Sequence, residues 1–401
     1  MDSQSMYVLV INSGSSSVKY KFFDMRDESI LAEGIVDRIG MDGSSLTHKT
    51  TDNRKVRIES DVPDYETALN LIMDALTHSD YGVIRDVSEI SAIGHRVVHG
   101  GEKISSSVLV TQDVENVIRE CSDLAPLHNP PNMMGIEVCK KILPGVHQVA
   151  VFDTAFHRTI PEEAYLYAIP YRLYEEYSIR RYGFHGTSHR YVAHRAARIL
   201  GQPLETIKMV TCHLGNGCSI TAIKDGKSVD TSMGFTPLEG LIMGTRSGDI
   251  DPAVVFYLIE RAGMSVSEIN SMLNRDSGLL GLSGLSRDMR DLEKAASEGN
   301  KRAITTLNCF TYRIKKYIGA YAASMGGLDS IVFTAGIGEN SSEIRAMVCN
   351  GLEFLGVKIE HQRNSSGERE RIISRDDSQV KILIVPTNEE LMIARDTVEL
   401  I

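Results

Sequence analysis

Residues 7–24 read YVLVINSGSSSVKYKFFD, and residues 209–230 read MVTCHLGNGCSITAIKDGKSVD. Each stretch is an apolar, β-rich run, a turn of small residues carrying Gly and Ser, and a returning β-rich run. In the second, Asp225-Gly226 sits between two such runs, a strong signal for a tight hairpin. The two stretches lie about 200 residues apart in a chain of 401, close to half its length. That spacing predicts a duplicated α/β domain, with the two Gly/Ser loops facing each other across a cleft.

The rest of the chain fits this reading. SAIGHRVV (91–98) and HQVAVFD (147–153) predict buried strands, and YETALNLIMDALTHS (65–79) an amphipathic helix. Helical patterns dominate residues 251–326. SIVFTAG (330–336) predicts a strand, GIGEN (336–340) a Gly-rich turn, and KILIVPT (381–387) a last strand. Thr387 or Asn388 is placed to cap a terminal helix. No Pro- or Ser-rich linker is present, so short connections near 150–154 and 389–390 are expected. The domains are then residues 1–152 with 390–401, and residues 153–389.

Composition narrows the function classes. Apolar residues make up 42% and charged residues 24%, ordinary values for a globular protein, and a net charge of −10 comes without a basic stripe for nucleic acid. The six cysteines include no CxxC pair, which predicts reduced thiols and a cytoplasmic location, with no disulfide framework and no zinc knuckle. No run approaches the ~20 apolar residues that span a bilayer, and the N-terminus lacks the basic region of a signal peptide. Common nucleotide motifs are missing: Gly226-Lys227-Ser228 resembles a P-loop tail, but Thr221 stands where its first glycine belongs. His95/His99 and His185/His189 have a helical metal-ligand spacing, yet no HExxH pattern or third ligand accompanies them. What remains is Asn12-Ser13-Gly14-Ser15-Ser16-Ser17-Val18-Lys19, whose backbone N–H groups, amide and hydroxyls suit a phosphate; taken alone, the same residues read more readily as a flexible hairpin turn.

That loop resembles the opening signature of the acetate kinase family. The resemblance runs on through GHRVVHGGE (94–102), APLHNPPN (125–132), VFDTAFHRTIP (151–161), RRYGFHGTSH (180–189), HLGNGCS (213–219), DTSMGFTPLEGLIMGTRSGDIDP (230–252), FTAGIGENS (333–341) and VPTNEELMIARDT (385–397). It implies the duplicated βββαβαβα domain of the actin-like ATPases, with ATP in the cleft between the copies and the terminal helix crossing back to the first. It also implies Mg²⁺ (or Mn²⁺) as cofactor, a homodimer, and reversible transfer of the ATP γ-phosphoryl group to acetate, giving acetyl phosphate and ADP.

The chemistry of that reaction is electrostatic. A carboxylate with a pKa near ~4.3 is already ionised at neutral pH and needs no general base. An anion must approach an anionic phosphate in line, which calls for arginines, Mg²⁺ and neutral donors. By resemblance, Arg96 and Arg246 line the acetate and the transferring phosphoryl group, and the guanidinium fork suits both. His185 donates to the transition state, with His128 close by, and Asp153 holds Arg96. Asn12 and Glu389 serve the metal, Glu389 through water. Asn12, Ser15, Ser17, Lys19, His213, Gly215 and Asn216 meet the nucleotide phosphates. Asp288, Arg290, Gly336 and Ile337 border the adenosine, and Val98, Leu127, Phe184 and Pro237 enclose the methyl group. Cys218 stands where relatives carry Ala or Ser and introduces thiol sensitivity.

Three alternatives have different needs. A propionate kinase differs by one methylene, about 1–3 kcal/mol of discrimination. An actin-like ATPase switch has no use for paired arginines gripping a carboxylate. A sugar kinase requires a general base, a part Asp153 is able to fill, so only the sequence blocks speak against it. A phosphoryl-carboxylate on Glu389 is the mechanistic alternative to direct in-line transfer.

Overall fold

The computed structural model describes residues 6–52 and 54–401. The chain divides into two compact units, one running to Phe156 and including Asn388–Ile401, the other spanning His157–Thr387.

The first unit opens with β1 (Tyr7–Ser13), β2 (Ser17–Asp24), β3 (Ser29–Asp37), β4 (Ser45–Thr50) and β5 (Lys55–Glu59). Helix α1 (Tyr65–Thr77) follows, then β6 (Ile90–Val97), β7 (Val108–Leu109), α2 (Gln112–Glu120), α3 (Asn129–Ile142) and β8 (His147–Phe152). They form one sheet in the order β5-β4-β3-β2-β1-β6-β8-β7. β1 pairs antiparallel with β2 and parallel with β6, which pairs parallel with β8. Leu9, Ile11, Val18, Tyr20 and Phe22 alternate along β1 and β2 and pack with Leu69, Ile72 and Leu76 of α1. Asp64 caps α1 by accepting from the Thr67 N–H, worth about 1 kcal/mol.

The second unit contains α4 (Glu162–Tyr165), α5 (Arg172–Tyr177), α6 (Gly186–Leu200), β9 (Met209–Leu214), β10 (Cys218–Lys224) and β11 (Lys227–Thr231). The helical run is α7 (Ala253–Ala262), α8 (Val266–Arg275), α9 (Gly278–Ser283), α10 (Met289–Ser297) and α11 (Lys301–Met325). β12 (Ser330–Thr334), α12 (Ala335–Asn340), α13 (Ser342–Cys349), α14 (His361–Ser365), β13 (Arg371–Ile372) and β14 (Lys381–Ile384) complete it. Its sheet runs β11-β10-β9-β12-β14-β13, with β9–β10–β11 antiparallel and β9–β12–β14 parallel. The first sheet carries the same core, β3-β2-β1-β6-β8, three antiparallel strands followed by two parallel ones. This repeat is the duplication that the two Gly/Ser loops predict. The hairpin at 225–226 forms with φ 54° at Asp225 and 74° at Gly226, the left-handed pair that a two-residue turn of this kind requires.

The chain ends in α15 (Glu389–Glu399), part of the first unit, where it packs on β6, β1 and β8. Asn388 caps it by accepting from the Leu391 N–H at 3.2 Å. Gly94 makes the close approach to β6 feasible, since a Cβ there would lie 2.5 Å from Ile393 and 2.6 Å from the Thr397 hydroxyl.

Two expectations need correction. β12 stops at Thr334, and GIGEN is helical rather than a turn, because Ala335 takes φ 63° and swings the chain directly from strand into α12. The unit boundaries fall at 156/157 and 387/388, so Asp153 and Glu389 both belong to the first unit. The Asp153 N–H donates to Val97 O and the Thr154 hydroxyl accepts from the Gly100 N–H, which tie the end of β8 to the β6 loop. Among the described residues, no helix is long and apolar enough to cross a membrane.

Candidate active site

In the first unit the parallel strands β1, β6 and β8 end side by side, and their last residues carry the polar groups. Arg96 donates from Nε to Asp153 Oδ1 at 3.1 Å and from Nη2 to Oδ2 at 2.6 Å, a bidentate pair. Asp153 is buried at 1% exposure, so the pair is fixed rather than a mobile surface contact. Arg96 Nη1 also reaches Asn12 Oδ1 at 3.4 Å, and Nε lies 3.9 Å from Glu389 Oε2. The Asp153 carboxylate holds Arg96 above the usual guanidinium range, with Glu389 adding to the effect. Burial pushes the Glu389 carboxyl up to about 7; Arg96 opposes this, while Asp153 and Glu390 add to it. Lys21 answers Glu390 at 3.2 Å.

Other expected residues of this unit are arranged more loosely. Gly14 N–H donates to Ser17 O at 2.8 Å, closing the β1–β2 turn, whose Ser15 is exposed. Lys19 is exposed on β2. His128 precedes α3 without capping it through its side chain. Val98 is buried and its N–H is fixed by Asn132 Oδ1 at 3.1 Å, whereas Leu127 is 63% exposed.

In the second unit His185 heads α6 with φ 56° and ψ 23°, a left-handed conformation uncommon outside glycine. Its ring turns from the helix to the sheet, where Nδ1 lies 2.8 Å from Ser219 Oγ on β10. The His213 ring stacks on it with centroids 4.2 Å apart. His213 Nδ1 lies 2.8 Å from Ser188 Oγ, itself 2.8 Å from the Thr387 hydroxyl.

Arg246 sits on an irregular loop that hydrogen bonds pin at several points. Gly244 N–H donates to Asn216 O at 2.9 Å, and Met243 N–H to Arg246 O at 3.1 Å. Arg181 holds Glu239 at 2.8 Å, and Gly240 N–H donates to Asp249 Oδ1 at 2.7 Å. Among the described residues the guanidinium itself meets only weak acceptors, Pro237 O at 3.4 Å and Met243 Sδ at 3.9 Å. Burial pushes it below the usual guanidinium range. A Cβ on Gly217 would lie 3.4 Å from His185 Nε2 and 3.8 Å from Arg246 Nη1. The imidazole and the guanidinium therefore converge on a space that the missing side chain leaves open. Phe184 is buried beside His185, and Pro237 is half-buried.

A cavity of about 660 Å³ lies wholly within the second unit. Gly215 and Asn216 of the β9–β10 turn, Asp288 and Arg290 at the start of α10, and Gly336 and Ile337 of α12 all line it. Arg290 donates to Asp288 through Nε at 3.0 Å and Nη2 at 2.6 Å, which lowers the carboxyl to about 2. The volume and the mixed lining suit a nucleoside.

The residues expected to serve a metal, Asn12 and Glu389, both belong to the first unit. Among the described residues, no three His, Cys, Asp or Glu side chains are grouped to hold a metal. Mg²⁺ bound through nucleotide phosphates needs only one or two carboxylates and keeps several waters. Glu389, whose burial disfavours an unaccompanied charge, and Asn12 suit that partial role. Neither histidine pair is such a site: His95 Nε2 lies 2.7 Å from Gln148 Oε1, and His189 is committed to Thr211 and Ser219.

A duplicated sheet core of this topology and a nucleoside-sized cavity fit an ATP-dependent phosphotransferase of the actin-like fold. The chain belongs to the acetokinase family, whose sequence pattern matches residues 7–395. It is 60% identical over 399 residues to an acetate kinase of Thermotoga maritima, covering 99% of each chain. It superposes on the crystal structure of Porphyromonas gingivalis acetate kinase with a TM-score of 0.95 at 49% identity, covering 98% and 99% of the two chains. A propionate kinase from Francisella tularensis gives a TM-score of 0.92 at 44% identity, over 99% and 100%.

Proposed function

We propose that this protein catalyses the reversible transfer of the ATP γ-phosphoryl group to acetate, giving acetyl phosphate and ADP by direct in-line displacement. Near-complete coverage of acetate kinases at high identity supports the reaction. The single structural observation that carries the chemistry is the pair of arginines in contrasting settings. Arg96 is gripped by Asp153, whereas Arg246 has only weak acceptors among the described residues and so keeps its donors for an anion.

In this reading Arg96 and Arg246 neutralise the carboxylate and the transferring group, and His185 Nε2 donates to an equatorial oxygen. Asp153 orients Arg96. Ser15, Ser17, Lys19, His213, Gly215 and Asn216 receive the phosphates, and Asp288, Arg290, Gly336 and Ile337 the adenosine. Val98, Leu127, Phe184 and Pro237 surround the methyl group, and His128 stands nearby. Mg²⁺, or Mn²⁺ in its place, bound beside Glu389 and Asn12, would supply charge neutralisation on the nucleotide phosphates. No general base is required, because acetate arrives ionised.

The protein is also expected to act as a homodimer in the cytoplasm. Helix α7 supports the dimer: none of its residues is buried, and Val254, Phe256, Tyr257 and Ile259 are exposed apolar side chains spread around it. Sedimentation of a Phe256→Glu, Tyr257→Glu double variant as a monomer is the expected outcome; an unchanged mass would place the interface elsewhere.

Turnover with Mg²⁺-ATP and hydroxylamine tests the reaction, because hydroxylamine traps acyl phosphate as hydroxamate. A signal that needs both acetate and metal is expected, with propionate weaker and butyrate weakest. ADP release indifferent to carboxylate would overturn the reading in favour of an ATPase switch.

A further inference from the structure

Three buried groups of the second unit, Thr211, His189 and Ser219, form a hydrogen-bonded chain that leads to the half-buried His185. Thr211 Oγ1 lies 2.7 Å from His189 Nδ1, and His189 Nε2 lies 2.7 Å from Ser219 Oγ. Ser219 Oγ lies 2.8 Å from His185 Nδ1. Thr211, His189 and Ser219 are each fully buried, and they come from β9, α6 and β10.

Counting protons gives this chain a direction. Ser219 has one hydroxyl proton and two imidazole nitrogens to serve, so it donates to one and accepts from the other. The facing nitrogens of His185 and His189 are therefore in opposite protonation states. Burial, with His157 and His213 nearby, keeps His189 neutral, so it carries a single N–H. Thr211 then decides the sense. Its hydroxyl has His189 Nδ1 as its one side-chain partner among the described residues. If His189 Nδ1 carried the proton, the Thr211 hydroxyl would accept and its own buried proton would have no acceptor, a costly arrangement. With Thr211 donating, every proton is used: Thr211 to His189 Nδ1, His189 Nε2–H to Ser219, and Ser219 to His185 Nδ1.

We propose that Thr211, His189 and Ser219 form a tautomer relay that holds His185 neutral with its proton on Nε2, the nitrogen that converges with Arg246. The inference rests on the phosphoryl-transfer reading and names the device that keeps its neutral donor aimed. An imidazolium at His185 would need Nδ1–H, which reverses the whole relay and strands the Thr211 proton. Arg246, close to the same opening, disfavours that second charge as well. A bare Nε2 would turn a lone pair toward phosphate oxygens. Ser219, His189 and Thr211 are thus positioning residues that act through His185.

The test is ¹⁵N NMR of protein labelled at histidine, with His185 assigned by comparison with His185→Gln, alongside hydroxamate kinetics. In the wild type at neutral pH, His185 is expected as the neutral Nε2–H tautomer. Ser219→Ala removes the link: His185 becomes a mixture of tautomers and kcat falls about 10- to 100-fold, with KM for acetate and ATP nearly unchanged. Ser219→Thr, which keeps the hydroxyl, restores both readouts. Should Ser219→Ala fail to fold, Thr211→Val removes the donor at the far end and is expected to produce the same mixture. An Nδ1–H or imidazolium signal in the wild type overturns the relay, as does an unchanged tautomer in Ser219→Ala or Thr211→Val. Loss of the phosphoryl-transfer reading would show separately, as a wild-type enzyme that forms no hydroxamate yet still reports its tautomer.

Discussion

The two arginines look alike in the sequence and differ in what surrounds them. Arg96 neutralises a carboxylate that is 1% exposed, so its removal strands a buried charge. Arg96→Ala is expected to lose ~10³-fold or more in kcat and also about 3 kcal/mol of stability. Arg246 forms no ion pair among the described residues, so Arg246→Ala should lose comparable activity with a melting midpoint close to wild type. Kinetics and thermal unfolding of both variants decide this; matching stability losses would mean that Arg246 is structural. Cys218 reverses an expectation at the same scale. Its thiol is fully buried and donates to Gly215 O at 3.1 Å, and burial pushes its pKa up to about 12. A thiol in that state is not a nucleophile near neutral pH. Alkylation of the native protein should therefore label the partly exposed Cys309 first and leave activity intact, read by mass mapping against turnover. Arg96 and Arg246 stand out in the sequence only through the family resemblance, since an isolated arginine reads as readily as a surface charge. Ser219, Thr211 and Ser188 were not legible, because a hydroxyl acquires its role only from the imidazole folded against it. The spacing of His189 from His185 suggests only a metal ligand. Its hydrogen-bond partners, Thr211 and Ser219, stand on β9 and β10, neither of which the spacing can reveal.

At the scale of elements, regular patterns carried the reading and abrupt geometry escaped it. The β-rich runs of β1 and β2, the amphipathic helix α1 and the Asp225-Gly226 hairpin follow from local chemistry, and each appears where the sequence placed it. α12 did not, since a left-handed alanine at a strand-to-helix junction breaks the usual preference for glycine there. Gly94 offers a test of how one element positions another. Because a Cβ there would overlap Ile393 and Thr397, Gly94→Ala must displace α15, whose first residue is Glu389. Overpacking of this kind costs about 1–3 kcal/mol, or about 2–4 °C in melting midpoint per kcal/mol. Activity should fall further than the stability loss explains. A variant that melts early yet turns over normally would show that the position of α15 is not critical to the chemistry.

For the molecule as a whole, buried neutral histidines contribute to the response to acid. His95 is 2% exposed, and burial lowers its pKa to about 4, with its hydrogen bond to Gln148 opposing the shift; burial lowers His99 to about 4 as well. In the unfolded chain a histidine titrates near ~6.5. Between those values the unfolded state binds a proton that the folded state refuses, so stability falls as pH drops from about 6.5 to about 4, then levels off. Asp230 acts in the opposite sense: burial pushes its carboxyl up to about 6, so in the range from about 4 to 6 acid favours the folded form at that site. The net slope mixes these terms, and a difference measurement separates them. A displacement from 6.5 to about 4 corresponds to about 3 kcal/mol. His95→Gln removes that titration while keeping a polar side chain beside Gln148. Whatever its stability at pH 7.5, the variant should gain about 3 kcal/mol relative to wild type as pH is lowered from 6.5 to 4, measured by urea unfolding across the range. Parallel stability curves for the two proteins would mean that His95 accepts its proton without unfolding and that the acid response is set elsewhere.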